Sequence, residues 1–265
     1  MADPVTGGNN NLGTHTVYAQ WHDKAGNWSQ SSSDSIILTS SQADLSYSQI
    51  VRNDYPVSYW RLGELNGTTA YDRINVNNGT YKNLPSLGAK GLIPTDQINN
   101  AVSFDGVKNQ VKIATTSASI NPINAVSLEA WIKPAAIPTA GSFTSIISKS
   151  GNYSLQFNGP QLEFLIYIGG VKKRLQALSG AVVTGNTYHV VGTYDGVTQK
   201  LYVNGSLIVS KPLTGSIGTS TTNLLIGSWD SGSEVFKGII DEVAIYNTAL
   251  SSTQVQQHFT SATTF

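Results

Sequence analysis

Two dipeptides, Asp195-Gly196 and Asn204-Gly205, bracket residues 197–203 and limit the fold of this chain more than any other feature. Asp-Gly and Asn-Gly close tight hairpin turns, because both positions tolerate the left-handed backbone that such turns demand. The segment Tyr194-Asp-Gly-Val-Thr-Gln-Lys-Leu-Tyr-Val-Asn-Gly-Ser-Leu-Ile-Val therefore predicts three consecutive antiparallel strands. The same punctuation recurs along the chain. Strand patterns fall at residues 101–104, 110–113, 127–133, 145–149, 153–157, 162–167, 174–178, 187–194, 199–203, 206–211, 223–228 and 238–246, each bounded by Gly or Asn. About a dozen short strands over roughly 200 residues is the arithmetic of an all-β, antiparallel two-sheet jelly-roll sandwich. A short helix is expected over residues 47–55, before Pro56, and a C-terminal one over 251–259, opened by Ser251 as N-cap.

Composition narrows the function classes. Lys and Arg number 16, as do Asp and Glu, so no global field draws the chain to nucleic acid. No apolar run approaches the ~18 residues of a membrane span, so membrane insertion is not expected. With no cysteine, disulfide scaffolds, thiolate metal sites and Cys nucleophiles are excluded together. Low charge with abundant Ser, Thr and Asn suits an extracellular or surface-displayed protein, whether secreted, in a cell wall or on a virion.

Residues 13–21 and 28–38 alternate on either side of the turn Asp23-Lys-Ala-Gly-Asn27 and predict an N-terminal β-hairpin. His15-Thr-Val-Tyr-Ala-Gln-Trp-His-Asp-Lys-Ala-Gly-Asn-Trp-Ser29 resembles the last two strands of bacterial immunoglobulin-like modules. Residues 1–42 are thus expected to be a fragment of such a spacer with a Ser-rich linker at 39–42, and 43–265 the sandwich. The leader Met1-Ala2-Asp3-Pro4 and the incomplete module suggest a piece of something longer.

From Tyr47 to Ser261 a series of segments resembles, in order, the laminin G-like members of the concanavalin A-like lectin and glucanase superfamily. They include Tyr59-Trp-Arg-Leu-Gly-Glu64, Ala70-Tyr-Asp-Arg73, Asn77-Asn-Gly-Thr80, Ala101-Val-Ser-Phe-Asp-Gly106, Ser127-Leu-Glu-Ala-Trp-Ile-Lys-Pro134 and Gly238-Ile-Ile-Asp-Glu-Val-Ala-Ile-Tyr246. The resemblance implies two stacked, curved antiparallel sheets. It also implies one Ca²⁺ held by the early-loop Asp72, by carbonyls of the turn at Asn77 and Gly79, and by the late Asp241. Asn75 could add an amide oxygen, while Arg73 departs from the Gly-rich loop usual in relatives. The alternative is that Asp72 caps a turn and Asp241 accepts backbone N–H groups without an ion.

Sugar sites set an aromatic face beside a few directed polar groups. Trp229, in the polar loop Gly227-Ser-Trp-Asp-Ser-Gly-Ser-Glu234, is the candidate face, with Asp230 beside it. The bland alternative folds Trp229 back over the sandwich edge. Tyr71 and Tyr81 flank the calcium candidates and could line a rim site, whereas Trp60 and Trp131 lie in strand patterns and are expected in the core. Lys172-Lys-Arg174 follows Gly169-Gly170 and is expected at a solvated hairpin tip. Retaining glucanases need paired carboxylates about 5–5.5 Å apart. Glu129, Glu163 and Glu242 are isolated on their strands, and His15, His22, His189 and His258 lack metal-ligand spacing. The expected function is a non-catalytic extracellular recognition module, glycan-binding and calcium-stabilised. The alternative is a structural, decoration or receptor-binding module of a phage particle or surface layer, contacting neighbouring subunits.

Overall fold

The computed structural model describes residues 13–38, 46–74, 77–114 and 117–264. The chain divides into two compact units, Met1–Leu45 and Ser46–Phe265. The leader, the 39–42 linker and Asn75 lie outside the described residues.

In the first unit, β1 (Gly13–Ala19) and β2 (Ser32–Leu38) pair antiparallel from Gly13 opposite Leu38 to Ala19 opposite Ser32. They are shorter than the sequence predicts because Asp23 organises the connection. Its Oδ1 accepts the amides of Ala25 and Asn27, both at 2.9 Å, and the rings of His22 and Trp28 meet at 4.7 Å.

The second unit opens with α1 (Tyr47–Asn53) and closes with α2 (Ser252–Thr263). Ser251 caps α2 as expected: its hydroxyl accepts the Gln254 amide at 3.2 Å while Gln254 Oε1 accepts the Ser251 amide at 2.9 Å. Between the helices run β3 (Ser58–Trp60), β4 (Thr69–Ala70), β5 (Gly79–Lys82), β6 (Ser86–Lys90), β7 (Asn100–Asp105), β8 (Gln110–Ile113), β9 (Val126–Pro134), β10 (Phe143–Lys149) and β11 (Tyr153–Asn158). They continue as β12 (Gln161–Ile168), β13 (Val171–Gln176), β14 (Tyr188–Tyr194), β15 (Thr198–Val203), β16 (Ser206–Pro212), β17 (Leu224–Ile226) and β18 (Lys237–Tyr246). One sheet runs β13-β12-β11-β10-β17-β8-β5-β4, and the other β16-β15-β14-β9-β18-β7-β6 with β3 also paired to β18. All these pairings are antiparallel, which is the two-sheet jelly roll that the turn pattern predicts.

The period-2 alternation of a strand sorts its side chains. On β12, Leu162, Phe164 and Ile166 enter the core between the sheets, with Trp60, Phe104, Leu128, Ile132 and Tyr194. Glu163 and Tyr167 therefore face the other way. The sheets approach so closely at Gly192 that a Cβ there would lie 2.5 Å from Phe164 Cγ. A second core of Tyr47, Val51, Tyr59, Leu92, Trp131, Tyr246 and Val255 fills the space between the outer face of the β9 sheet and the helices. Strands β9 and β18 are thus buried on both faces, beyond the single apolar face their alternation predicts. The sequence pattern also misplaces β13, which starts at Val171 rather than at residue 174. Gly169 and Gly170, at φ +58° and +76°, close a two-residue turn that brings Val171 opposite Ile168.

Candidate functional site

The four residues expected to share calcium are held by other partners. Asp72 is fully buried; its Oδ1 accepts the amides of Tyr59 (2.8 Å) and Ile74 (3.0 Å), and its Oδ2 accepts that of Asn77 (2.9 Å). These bonds tie Ile74 and Asn77 to β3 through one carboxylate. The carbonyl of Asn77 accepts the Trp60 indole N–H at 2.9 Å, and its side-chain amide donates to Ser58 and Ser119 hydroxyls. Gly79 sits in β5, where a Cβ would come 2.5 Å from Val111 Cγ1, so close strand packing accounts for it. Asp241 accepts the Leu92 amide at 2.7 Å and Asn99 Nδ2 at 3.3 Å. Among the described residues no donor bonds both aspartates, and no cluster of three His, Cys, Asp or Glu side chains fit for a metal occurs. The arrangement matches turn-capping by carboxylates, and a single shared ion does not fit these committed oxygens.

Of the tyrosine pair, Tyr71 is 53% exposed while Tyr81 is a core residue. Glu64 joins them, accepting the Tyr71 amide at 3.1 Å and the Tyr81 hydroxyl at 2.6 Å. Only Tyr71 offers a ring to solvent.

The convergence that sequence reading missed lies on the outer face of β10–β13. Cross-strand register places Lys172 beside Tyr167, and Gln176, Glu163, Gln156 and Ser145 in one row. Lys172 and Arg174 are strand residues, and the solvated hairpin tip is the Gly169-Gly170 turn alone. The loop after β17 crosses this face. The Ser148 hydroxyl donates to the Ser228 carbonyl at 2.7 Å, and the Ser145 amide donates to that of Glu234 at 2.8 Å. A short 3₁₀ turn at Asp230–Gly232 then presents partly buried Trp229, with Lys172 Nζ 5.4 Å from its ring centroid and 5.9 Å from that of Tyr167. On the other side of the loop a depression of about 270 Å³ is lined by Gln110, Lys112, Asn223, Leu225 and Asp230.

Behind Trp229 the polar groups are braced. Glu163 is fully buried and accepts Arg174 Nη1 (2.6 Å), Gln156 Nε2 (2.9 Å) and Asn158 Nδ2 (3.1 Å), while Arg174 also stands over Phe143. Glu234 adopts a left-handed φ of +50°, and its burial pushes its carboxyl pKa up. Glu163 and Glu234 are close enough to repel, so Glu163 is less isolated than its strand suggests. Three donors hold Glu163 in place, Arg174 and Gln156 on Oε1 and Asn158 on Oε2. The face combines an aromatic ring, two cations, amides and carboxylates, which is the equipment for gripping a hydroxyl-rich ligand.

Two further clusters belong to the scaffold. Glu129, buried on β9, accepts Tyr47 OH (2.9 Å), Tyr246 OH (2.8 Å), His189 Nε2 (2.7 Å) and His258 Nδ1 (3.0 Å). Two of the four histidines that look scattered in sequence, His189 and His258, therefore meet at one carboxylate. A β-bulge between Asp241 and Ala244, with Glu242 at φ +51°, lets both consecutive carboxylates reach Asn99 Nδ2. Glu242 also binds Arg61 and the Tyr59 hydroxyl. Burial and the neighbouring Glu242 push Asp241 well above the usual carboxylate range; burial raises Glu242 too, and Arg61 holds it to about 7.

Comparison with known proteins agrees with this architecture. A laminin G model of the concanavalin A-like lectin/glucanases superfamily matches residues 105–256. No curated protein matches the sequence. The binding domain of Paraclostridial Mosquitocidal Protein 1 superposes with a TM-score of 0.61 at 15% identity, covering 80% of this chain and 53% of that one. Domain 4 of AbnA, a GH43 extracellular arabinanase from Geobacillus stearothermophilus solved with arabinotriose, gives 0.57 at 20% identity over 77% of this chain and 97% of that one. The botulinum neurotoxin serotype D ligand-binding domain, solved with N-acetylneuraminic acid, gives 0.60 at 17% identity, over 78% and 51%. The chain spans about half the length of the mosquitocidal and neurotoxin chains. Such identities speak for the fold alone. With the family match running over more than half of its 265 residues, the chain belongs to the concanavalin A-like lectin/glucanase superfamily, as a laminin G-like jelly roll.

Proposed function

We propose that this chain is a non-catalytic glycan-recognition module, displayed or secreted outside the cell, that binds its ligand across the outer face of β10–β13. The observation that carries this reading is the meeting of Trp229 with Lys172, Tyr167 and the braced Arg174–Glu163 pair at one surface. A sugar ring stacks its C–H face on the indole, and its hydroxyls exchange bonds with the surrounding charged groups and amides. Neighbours of the same fold that were solved with arabinotriose and with N-acetylneuraminic acid support a saccharide over other ligands. Catalysis is disfavoured because Glu163 is fully buried and charge-paired with Arg174, away from any bound ligand.

A glycan array probed with the whole chain, followed by calorimetry on the best ligand, tests the reading. Trp229→Ala is expected to weaken binding by at least about tenfold, as truncation of an aromatic anchor does. Absence of binding to any glycan, or equal binding by the variant, would overturn it.

A further inference from the structure

Four Asn-Gly pairs lie along the chain, at 66–67, 78–79, 158–159 and 204–205. An Asn followed by Gly carries the reactants for its own modification, because the glycine amide nitrogen can attack the side-chain carbonyl carbon and no Cβ hinders the approach. The attack needs that nitrogen released from other partners and turned toward Cγ. Local structure therefore decides which pair reacts.

Three of the pairs are held. Asn78 Oδ1 accepts the Asp72 amide at 2.9 Å, and Gly79 lies in β5 between Ala70 of β4 and Ile113 of β8. Asn158 Nδ2 donates to Glu163 at 3.1 Å, and the Gly159 amide donates to the Ser142 carbonyl at 2.8 Å. Asn204 Oδ1 accepts the His189 amide at 3.0 Å, and the main-chain amide of Asn204 donates to the His189 carbonyl at 2.8 Å. Gln256 and Phe259 close over Gly205, where an added Cβ would meet them at 2.9 and 3.0 Å.

Asn66 and Gly67 are held by nothing comparable. Both are exposed, in the bend at 65–68 that leads into β4. Among the described residues neither the Asn66 side chain nor the Gly67 amide has a hydrogen-bond partner. A Cβ built on Gly67, at φ +91°, would meet nothing within 4 Å. From this exposure, lack of bonds and open space, we infer that Asn66 is a site of spontaneous deamidation. Hydroxide removes the Gly67 amide proton, and the nitrogen bonds to Asn66 Cγ. The Cγ–Nδ2 bond then breaks, and the leaving nitrogen takes a proton from water and departs as ammonia, leaving a succinimide. Water opens that ring at either carbonyl, which gives aspartate or isoaspartate at position 66; no oxidant or reductant takes part. The product carries a new negative charge two positions from Glu64, the carboxylate that accepts the Tyr71 amide and the Tyr81 hydroxyl. Isoaspartate also lengthens the main chain between Glu64 and Tyr71.

Each pair falls on its own tryptic peptide, 62–73, 74–82, 150–172 or 201–237, so one digest of the aged full chain reads all four conversions by tandem mass spectrometry. In the folded chain at mildly alkaline pH, Asn66 is expected to convert at least about tenfold faster than the other three, which must first open locally. Its peptide should give two products of equal mass, the aspartate and isoaspartate forms. In urea, where nothing holds the other pairs, their rates should draw level with that of Asn66. Asn66→Gln, with its melting temperature checked against the parent, is expected to lose the acidic species that ageing produces on ion exchange. An intact Asn66 after ageing, another pair converting as fast in the folded chain, a lead that urea leaves unchanged, or the same acidic species in the variant would overturn the assignment.

Discussion

His258 on α2 donates from Nδ1 to the buried Glu129 at 3.0 Å, and its Nε2 lies 2.9 Å from Asp54 Oδ2 beyond the end of α1. Glu129 also receives Tyr47, His189 and Tyr246, so one carboxylate gathers α1, α2, β14 and β18. Replacing His258 by Ala removes both of its bonds and leaves Glu129 undercompensated. Loss of one partner from a buried pair costs about 3–5 kcal/mol. That is roughly 6–20 °C in Tm at the ~2–4 °C per kcal/mol of a domain this size. Burial lowers the imidazole pKa, but Glu129 and Asp54 raise it more, to about 9 from an ordinary value of 6.5. A group raised in this way contributes stability that is complete below pH 6.5 and is lost as pH climbs through about 9. The span from 6.5 to about 9 corresponds to about 3 kcal/mol. Urea unfolding of the parent and His258→Ala at pH 6 and pH 10 reads the difference directly. Lys149, lowered by burial to about 8, titrates in the same window, but it does so in both proteins and cancels in the difference. The gap is expected to be about 3–5 kcal/mol at pH 6 and to narrow by about 3 kcal/mol at pH 10. A gap equal at both pH values would refute a charged His258 as the tie between the helices and the sheet.

Further predictions concern other parts of the fold. Glu242, raised to about 7, contributes stability present below pH 4.5 and lost as pH rises through 7, so Glu242→Gln should flatten the stability profile between those values; an unchanged slope by urea titration would contradict this. Gly192→Ala drives a methyl onto Phe164 and should cost about 1–3 kcal/mol, read as a lower urea midpoint at unchanged slope. Because Asp72 and Asp241 are committed to backbone and amide donors, added Ca²⁺ should leave Tm unchanged; a rise that Asp241→Ala abolishes would restore the shared ion.

The fold was legible where local chemistry dictates it. Asp195 accepts the amides of Val197 and Thr198 in the turn its Asp-Gly pair announces, and Asn204 and Gly205 take φ +49° and +76°. Ser251 caps its helix for the same local reason. Short strands such as β3 and β4 carry too few residues for a period to register. The Glu129 hub joins residues 60 and 129 positions apart, a pairing that only the sheet order creates. Of the candidate site, Trp229 in its polar loop and the basic run were visible singly. Their meeting depends on the loop after β17 crossing β10, which hydrogen bonds at Ser148 and Ser145 fix and no local pattern announces. The family motif around Asp72 and Asp241 suggested an ion because it records residue types, whereas the bulge at Glu242 and the Trp60 indole decide where their oxygens and carbonyls are committed.

Glycan recognition at the Trp229 face is tested most directly by NMR titration of the full chain with the strongest array ligand, following the indole N–H of all five tryptophans. The expected result is a saturable shift of the Trp229 resonance, with accompanying shifts at Tyr167 and Arg174 and none at the buried Trp60. A ligand that binds and moves other residues while the Trp229 resonance stays in place would contradict the proposed face.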